Sequence, residues 1–353
     1  MKTFERLLLA AGAAVLVVLI HRIGLGSIAG QLARLGPWFA VVLSVQGGML
    51  ALDTIGWRLT LPAPARTDRF ASMFQMRLIG DAVNYLTPSA SLGGELVRFR
   101  LLSRTQPQAL AASSVVLMVV DQFLSQALFV LAGIPFVIAA TGHHALPWSG
   151  ALAPLAAMVA ALLAGLLFLG RRGEALQLLH RAVRRLGSFP DQGGGHEGPW
   201  REIDRRVFGA FRERPRDMLL SVGCFFVAWS LGIGECVFVL GRLGHPLSWS
   251  RAAAIESLSV LVETGLFFVP AKMGTQEGGK YFIFLVLGLD PSLGFAFGVT
   301  RRIRELAWGA LGLALFGREQ RRDATRWAAP AARSAPFDPL DRLDPGKPVY
   351  SRP

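Results

Sequence analysis

The chain has 353 residues, 52% of them hydrophobic and only 17% charged, with a formal net charge of +13. A soluble domain carries about 25% charged residues, so the composition excludes an ordinary soluble protein, and several apolar runs reach the roughly 20 residues that cross a bilayer. The basic residues lie mostly between those runs, which points to membrane topology and attraction to anionic headgroups and not to nucleic acid.

Lys2 and Arg6 precede an apolar run at about 7–25. A signal peptide has a similar build, but no small-x-small site stands before a polar start, so the run reads as an uncleaved first span. A second span covers about 37–57. Arg58, Arg66, Arg69 and Arg77 then place 58–80 at the cytoplasmic surface. A polar break follows, "NYLTPSASLGGELVRF" at 84–99, with Arg100 and Arg104 close behind. The third span is about 109–140 and the fourth about 148–170. Residues 171–216 hold eleven arginines and six acids and read as a cytoplasmic loop, flexible at "DQGGGHEGP". A fifth span covers about 217–241. An apolar helix at about 252–269 runs into a second break, "FFVPAKMGTQEGGKYF" at 267–282, and an apolar stretch at 280–289. The sixth span is about 292–316. From Arg318 onward the proline-rich remainder reads as a disordered cytoplasmic tail.

The two breaks share a build: a glutamate follows a proline by seven positions in each, Pro88 to Glu95 and Pro270 to Glu277. Proline and paired glycines disfavour a continuous helix, and irregular backbone at membrane depth survives only when buried in protein or lining a wet cavity. Arginine placement requires 70–104 to enter from and return to the cytoplasm, and 252–290 to do the same from outside. The predicted fold is therefore an all-α polytopic membrane protein. It has about six full transmembrane helices plus two re-entrant broken hairpins in two inverted-topology repeats. Residues 1–317 form the membrane domain, with repeat one at about 5–140 and repeat two at about 148–317; 318–353 form the tail.

The polar residues of the breaks and of the late spans are the candidate site. Half-helices starting near Gly93 and Gly94, and near Gly274, would aim unpaired N–H groups at an anionic headgroup. Asn84, Thr87, Ser89 and Thr275 supply hydrogen-bonding side chains, and Lys272 a cation. The alternative is that these groups only cap their own helices. Glu95 with Arg98, and Glu277 with Lys280, are spaced as i, i+3 ion pairs. Asp121 and Glu305 sit inside apolar spans, where a charge costs about 2.5–3.5 kcal/mol on insertion scales. Arg301 and Glu305 are spaced to pair as i, i+4, leaving Arg304 for a phosphate or for Asp121. Asp53 is placed to pair with Arg58. Each of these pairs has a purely structural reading as well.

Cys224 and Cys236 are 12 residues apart on one predicted span, about 18 Å along a helix, too far to bridge. The histidines are scattered. No metal or other cofactor is expected. No P-loop, GxSxG or HExxH stands in the chain, and no nucleophile accompanies the acids, so no enzyme is expected.

The stretches "GDAVNYLTPSASLGGELVRFRLL", "FFVPAKMGTQEGGKYFIFLVLGL" and "RRIRELAWGALGL" resemble the flippase-like membrane domain of lysylphosphatidylglycerol synthases, over about 5–317. The resemblance carries over Asn84, Pro88, Gly94, Glu95, Pro270, Gly274, Glu277, Arg304 and Glu305, and implies that the breaks are re-entrant. It implies substrates among phospholipids, hopanoids or polyprenyl-linked sugars. Those synthases carry a soluble aminoacyl-transferase domain after the membrane domain, where this sequence has a proline-rich tail. Only the translocation role is therefore expected to carry over.

The expected function is that of a lipid flippase or transporter of a bacterial inner membrane, with both termini cytoplasmic and membrane lipids as partners. The rival expectation is a non-transporting accessory protein of lipid biosynthesis, hopanoid synthesis for example, whose 171–216 loop recruits a soluble enzyme. A third is an intramembrane lipid-modifying enzyme using the paired glutamates.

Overall fold

The computed structural model describes residues 33–86, 92–141, 197–265 and 275–328, with isolated positions before them. The predicted first and fourth spans, residues 171–196 and the tail beyond 328 lie outside the described residues. So do Thr87, Ser89, Lys272 and Gly274.

The described residues are helical throughout apart from short connections. A 3-10 turn at Gly36–Trp38 leads into α1, Phe39–Thr60. Next come α2, Phe70–Leu86, and α3, Leu92–Leu102, followed by α4, Gln108–Thr141. After α5, Glu197–Glu213, come α6, Pro215–Arg242, and the pair α7, Trp249–Gly265, and α8, Thr275–Val286. The last helix, α9, is Pro291–Ala328.

Among the described residues, three helical segments are long and apolar enough to cross a membrane: Ala33–Thr60, Gln108–Thr141 and Pro215–Arg242. These match the predicted second, third and fifth spans. α2, α3, α7 and α8 are shorter. The longest of them has 17 residues, about 26 Å of helix, less than the roughly 30 Å of a hydrocarbon core. They pack as two pairs, α2 with α3 and α7 with α8, each pair flanking one of the polar breaks.

Two regions depart from the sequence reading. Residues 197–213, read as part of a cytoplasmic loop, form an amphipathic helix. Ile203, Val207, Phe208, Ala210 and Phe211 make one apolar face, which packs on Leu117 of α4 and Met218 of α6. And α9 continues to Ala328, past the Arg318 at which disorder was expected. Glu319 holds this extension to the body by accepting hydrogen bonds from Arg104 (3.0 Å) and Gln75 (3.2 Å). The start of α9 has a local cause. Asp290 accepts a hydrogen bond from the Ser292 N–H (2.9 Å), with Pro291 at the first helical position. Hydrogen bonds from Ser292, from its hydroxyl first and then from its N–H, hold the exposed Asp290 carboxyl below its usual range.

Helices from the two ends of the chain interleave. α1 packs along α6, α2 against α9, and α7 against α4. Close approach at the last two contacts depends on missing side chains. A Cβ on Gly312 of α9 would meet the Leu78 carbonyl of α2 at 2.7 Å, and one on Gly133 of α4 would collide with Ser257 of α7. Small residues at such crossings let helix backbones touch, the usual source of packing energy between helices in lipid. α8 lies on α9 in the same way: a Cβ on Gly294 would stand 2.5 Å from the Lys280 carbonyl oxygen, and one on Gly298 3.0 Å from the Glu277 Cα.

Burial is inverted relative to a soluble protein. Phe123, Leu219, Leu220, Leu285 and Phe295 are each more than half exposed, whereas Arg77, Arg98, Glu235, Lys280 and Arg302 are each at most 2% exposed. Charged side chains are almost never fully buried in soluble domains unless paired, and a lipid solvent reverses the preference.

Gly294→Ala is expected to lower thermal stability in detergent by about 1–3 kcal/mol, because the added methyl meets a backbone carbonyl that cannot move away cheaply. Gly278→Ala on the facing helix α8, where the added group meets nothing within 4 Å, should leave the melting temperature unchanged or raise it slightly.

Candidate functional site

The buried charges form two chains of alternating sign. The first begins at Glu95 in the opening turn of α3 and passes to Arg98, then to Asp81 of α2. Asp81 also meets Arg77 (3.0 Å), which reaches Asp53 of α1 (3.0 Å). Asn84 locks the start of this chain. It accepts from the Gly94 N–H (2.7 Å) and donates to Glu95 (3.1 Å). Gly94 must be glycine for that contact, since a Cβ there would collide with the Gly80 carbonyl and with Asn84 itself. The Glu95–Arg98 pair is the one the sequence spacing predicts.

The second chain centres on Glu235 of α6, which is 1% exposed and is shared by two arginines of α9. Arg301 donates to it at 3.0 Å and Arg304 also hydrogen-bonds it. Arg301 further pairs with Glu256 of α7 (2.8 Å), donates to the Gly232 carbonyl (3.2 Å), and stacks over Phe297. Glu305, 3.9 Å from Arg304, accepts from Gln276 (2.9 Å). Between the two helix pairs stands Arg302. It binds Glu277 in the first turn of α8 (2.7 Å) and donates to the hydroxyl of Tyr85, in the last turn of α2. One guanidinium therefore ties the start of the first break to the later part of the second.

Both chains border one cavity of about 190 Å³ enclosed by α1, α4, α6, α7 and α9. Asp53, Glu256, Glu263, Arg301, Arg304 and Glu305 carry its charge. Polar atoms of this lining, Arg304 Nε and Glu256 Oε1 among them, are buried and make no hydrogen bond, and neither does Oε1 of the neighbouring Gln276. Such atoms cost free energy unless a further group completes them.

Several predicted pairings are corrected. Lys280 pairs with Glu263 (3.4 Å), not with Glu277, because it faces α7 while Glu277 faces α9 and takes Arg302. Arg301 pairs across helices and not with Glu305 on its own helix. Arg304 is held by Glu235 and does not reach Asp121, and its buried Nε lacks a hydrogen bond. Asp53 binds Arg77, while Arg58 donates to the Arg66 carbonyl (3.0 Å). Asp121 lies outside the cavity lining and shares a hydrogen bond with the Ser221 hydroxyl of α6 (2.6 Å). For Lys280, Arg301 and Asp53 a partner on a neighbouring helix displaces the local one. Of the other named residues, Gly93 is buried in α3 and Thr275 opens α8. Arg302, Glu235, Glu256, Arg77 and Tyr85 were not among the predicted site residues. Glu235 was visible as an acid in an apolar span, and Arg302 as part of the "RRIRE" run, but their partners are not.

The family model described as "Lysylphosphatidylglycerol synthase TM region" matches residues 6–312. A UPF0104 membrane protein of Methanothermobacter thermautotrophicus is 25% identical over 343 residues, an alignment that spans 90% of this chain and 97% of that relative. No solved structure matches.

Glu235→Gln keeps the shape of the side chain but leaves two arginines short of a counter-charge. A loss of about 3–5 kcal/mol in unfolding stability is expected, read by thermal denaturation in micelles. Glu319→Gln, at the edge of the body, should cost less than about 1 kcal/mol.

Proposed function

Since the chain belongs to the lysylphosphatidylglycerol synthase transmembrane-region family, we propose that this multi-pass membrane protein moves an amphiphile with a polar or anionic headgroup between leaflets. The observation that carries the reading is the charged cavity where helices from both ends of the chain meet. In this reading the headgroup enters the cavity and takes up the spare hydrogen-bonding capacity at Arg304 Nε and Glu256 Oε1. An anionic oxygen suits the first and a hydroxyl or amine donor the second. The acyl or isoprenoid tails stay outside, along apolar faces such as that of Phe123 and Leu128. No bond is made or broken in such a step, so no catalytic group is assigned.

The two short helix pairs are read as re-entrant hairpins, and the chain as two inverted repeats. The exchange of contacts supports this: the first limb of each pair, α2 or α7, packs on the closing helix of the opposite half, α9 or α4. Repeats joined this way can rock about the α1–α6 contact and open the cavity to one side and then the other. The arginine distribution supports cytoplasmic placement of both termini in a plasma membrane.

The test is fluorescent-lipid movement in proteoliposomes, with several headgroups. Ser259 lines the cavity and its hydroxyl bonds only its own helix, to the Ile255 carbonyl. Ser259→Trp fills the space without removing a charge and is expected to slow movement at least about tenfold while the protein stays monodisperse. Wild-type rates in that variant would remove the cavity from the route. No movement of any headgroup by wild type would favour the accessory-protein reading.

A further inference from the structure

One buried acid takes no part in either charge chain. Asp121 of α4 is 0% exposed, and among the described residues its one polar partner is the Ser221 hydroxyl, 2.6 Å from Oδ2. Its other oxygen, Oδ1, makes no hydrogen bond. The same Ser221 oxygen lies 2.9 Å from the Gly56 carbonyl of α1. The three helices are tight here, since a Cβ on Gly56 would stand 2.9 Å from the Phe225 ring.

Proton counting decides the state of this acid. A serine hydroxyl has one proton to give. If Asp121 were ionised, the Ser221 proton would go to it, and the Ser221 and Gly56 oxygens would face each other at 2.9 Å with nothing between them. If Asp121 carries a proton, it donates to Ser221, which donates to Gly56, and every short contact is a hydrogen bond. Charge argues the same way. A buried carboxylate with a single neutral donor and no cation is far costlier than its neutral acid.

The charged groups around it are engaged elsewhere. On α1, Asp53 binds Arg77, and Arg58 donates to a backbone carbonyl. Arg77 of α2 comes nearest along α4, touching Met118 one turn before Asp121, but its guanidinium is held by Asp53 and Asp81. On α3, Arg98 is held by Asp81 and Glu95. On α6, Asp217 pairs with Arg66, and the thiol of Cys224 is the one further titratable group near Ser221. On α7, Glu256 and Glu263 pair with Arg301 and Lys280. On α5, Arg205 and Arg206 are exposed, and Arg212 and Glu213 complete the charged groups of its last turn.

We propose that Asp121 is a proton-binding site, holding a proton while α1, α4 and α6 are closed together and releasing it to water when that junction is wetted. The cavity supplies the route, because its lining includes Gln122, next to Asp121, and Asp53, one turn before Gly56. That this proton couples to lipid movement rests on the function proposed above; the protonation itself does not. Release accompanies opening, so raising the pH above the ordinary carboxyl range, about 4, favours the open form by up to about tenfold per pH unit.

The experiment is infrared difference spectroscopy of the full chain in lipid nanodiscs at neutral pH. Wild type should show the C=O stretch of a protonated carboxylic acid that Asp121→Asn lacks and that Ser221→Ala shifts. Loss of a carboxylate band in Asp121→Asn, with no acid band lost, would overturn the site. If Asp121→Asn does not fold, ¹³C-aspartate labelling of wild type and Ser221→Ala gives the same decision. In proteoliposomes the wild-type rate should rise with pH and the Asp121→Asn rate should be flat. A flat wild-type profile would overturn the coupling, while absence of lipid movement would count against the transport reading and leave the infrared result to decide the proton site.

Discussion

A charge at membrane depth has no water to turn to, and every other feature of this protein accommodates that constraint. Arg301 meets it by sitting between Glu235 of α6 and Glu256 of α7, and Arg304 shares the same Glu235. An isolated ion in such a place would be too costly to bury. α9 can therefore present Arg301, Arg302 and Arg304 close together only where carboxylates on other helices receive them. The network fixes the position of α9 against α6 and α7, and with it the position of the cavity.

The backbone is shaped to let those charges meet. Gly94 allows α3 to lie on α2 so closely that Asn84 caps its first turn, and Gly294 and Gly298 bring α8 onto α9 so that Glu277 reaches Arg302. The apolar outer faces of α4 and α6 meet lipid, leaving packing contacts and interior ion pairs to join the helices. Interior polarity then serves two purposes. It holds the helices together, and it leaves a space whose lining still has hydrogen bonds to offer.

Much of the architecture was legible in the residues alone. The spans at α1, α4 and α6 are long apolar runs, and the two breaks announce themselves as proline, glycine and glutamate in otherwise hydrophobic sequence. α5 was hidden because charged residues dominate its composition and mask a narrow apolar stripe at 203, 207, 208 and 211. The pairings were the least legible. Spacing along one helix suggests Arg301 with Glu305 and Lys280 with Glu277, yet both cations turn to other helices. Local geometry offers a partner on the same helix, but tertiary packing brings a carboxylate of a neighbouring helix within reach instead. Asp121 shows the converse, an acid whose apolar surroundings suggested a cationic partner and which has a serine instead.

Structural and functional roles for the central network make different predictions when all of its charges are removed together. Replacing a complete buried ion network by apolar residues of similar volume is often neutral or stabilising. The measurement is lipid movement in proteoliposomes by a Glu235→Leu/Glu256→Leu/Arg301→Met/Arg304→Met variant, beside its thermal stability. The account predicts a folded, monodisperse protein that no longer moves lipid. Wild-type lipid movement in that variant would contradict it, reducing the network to structural glue.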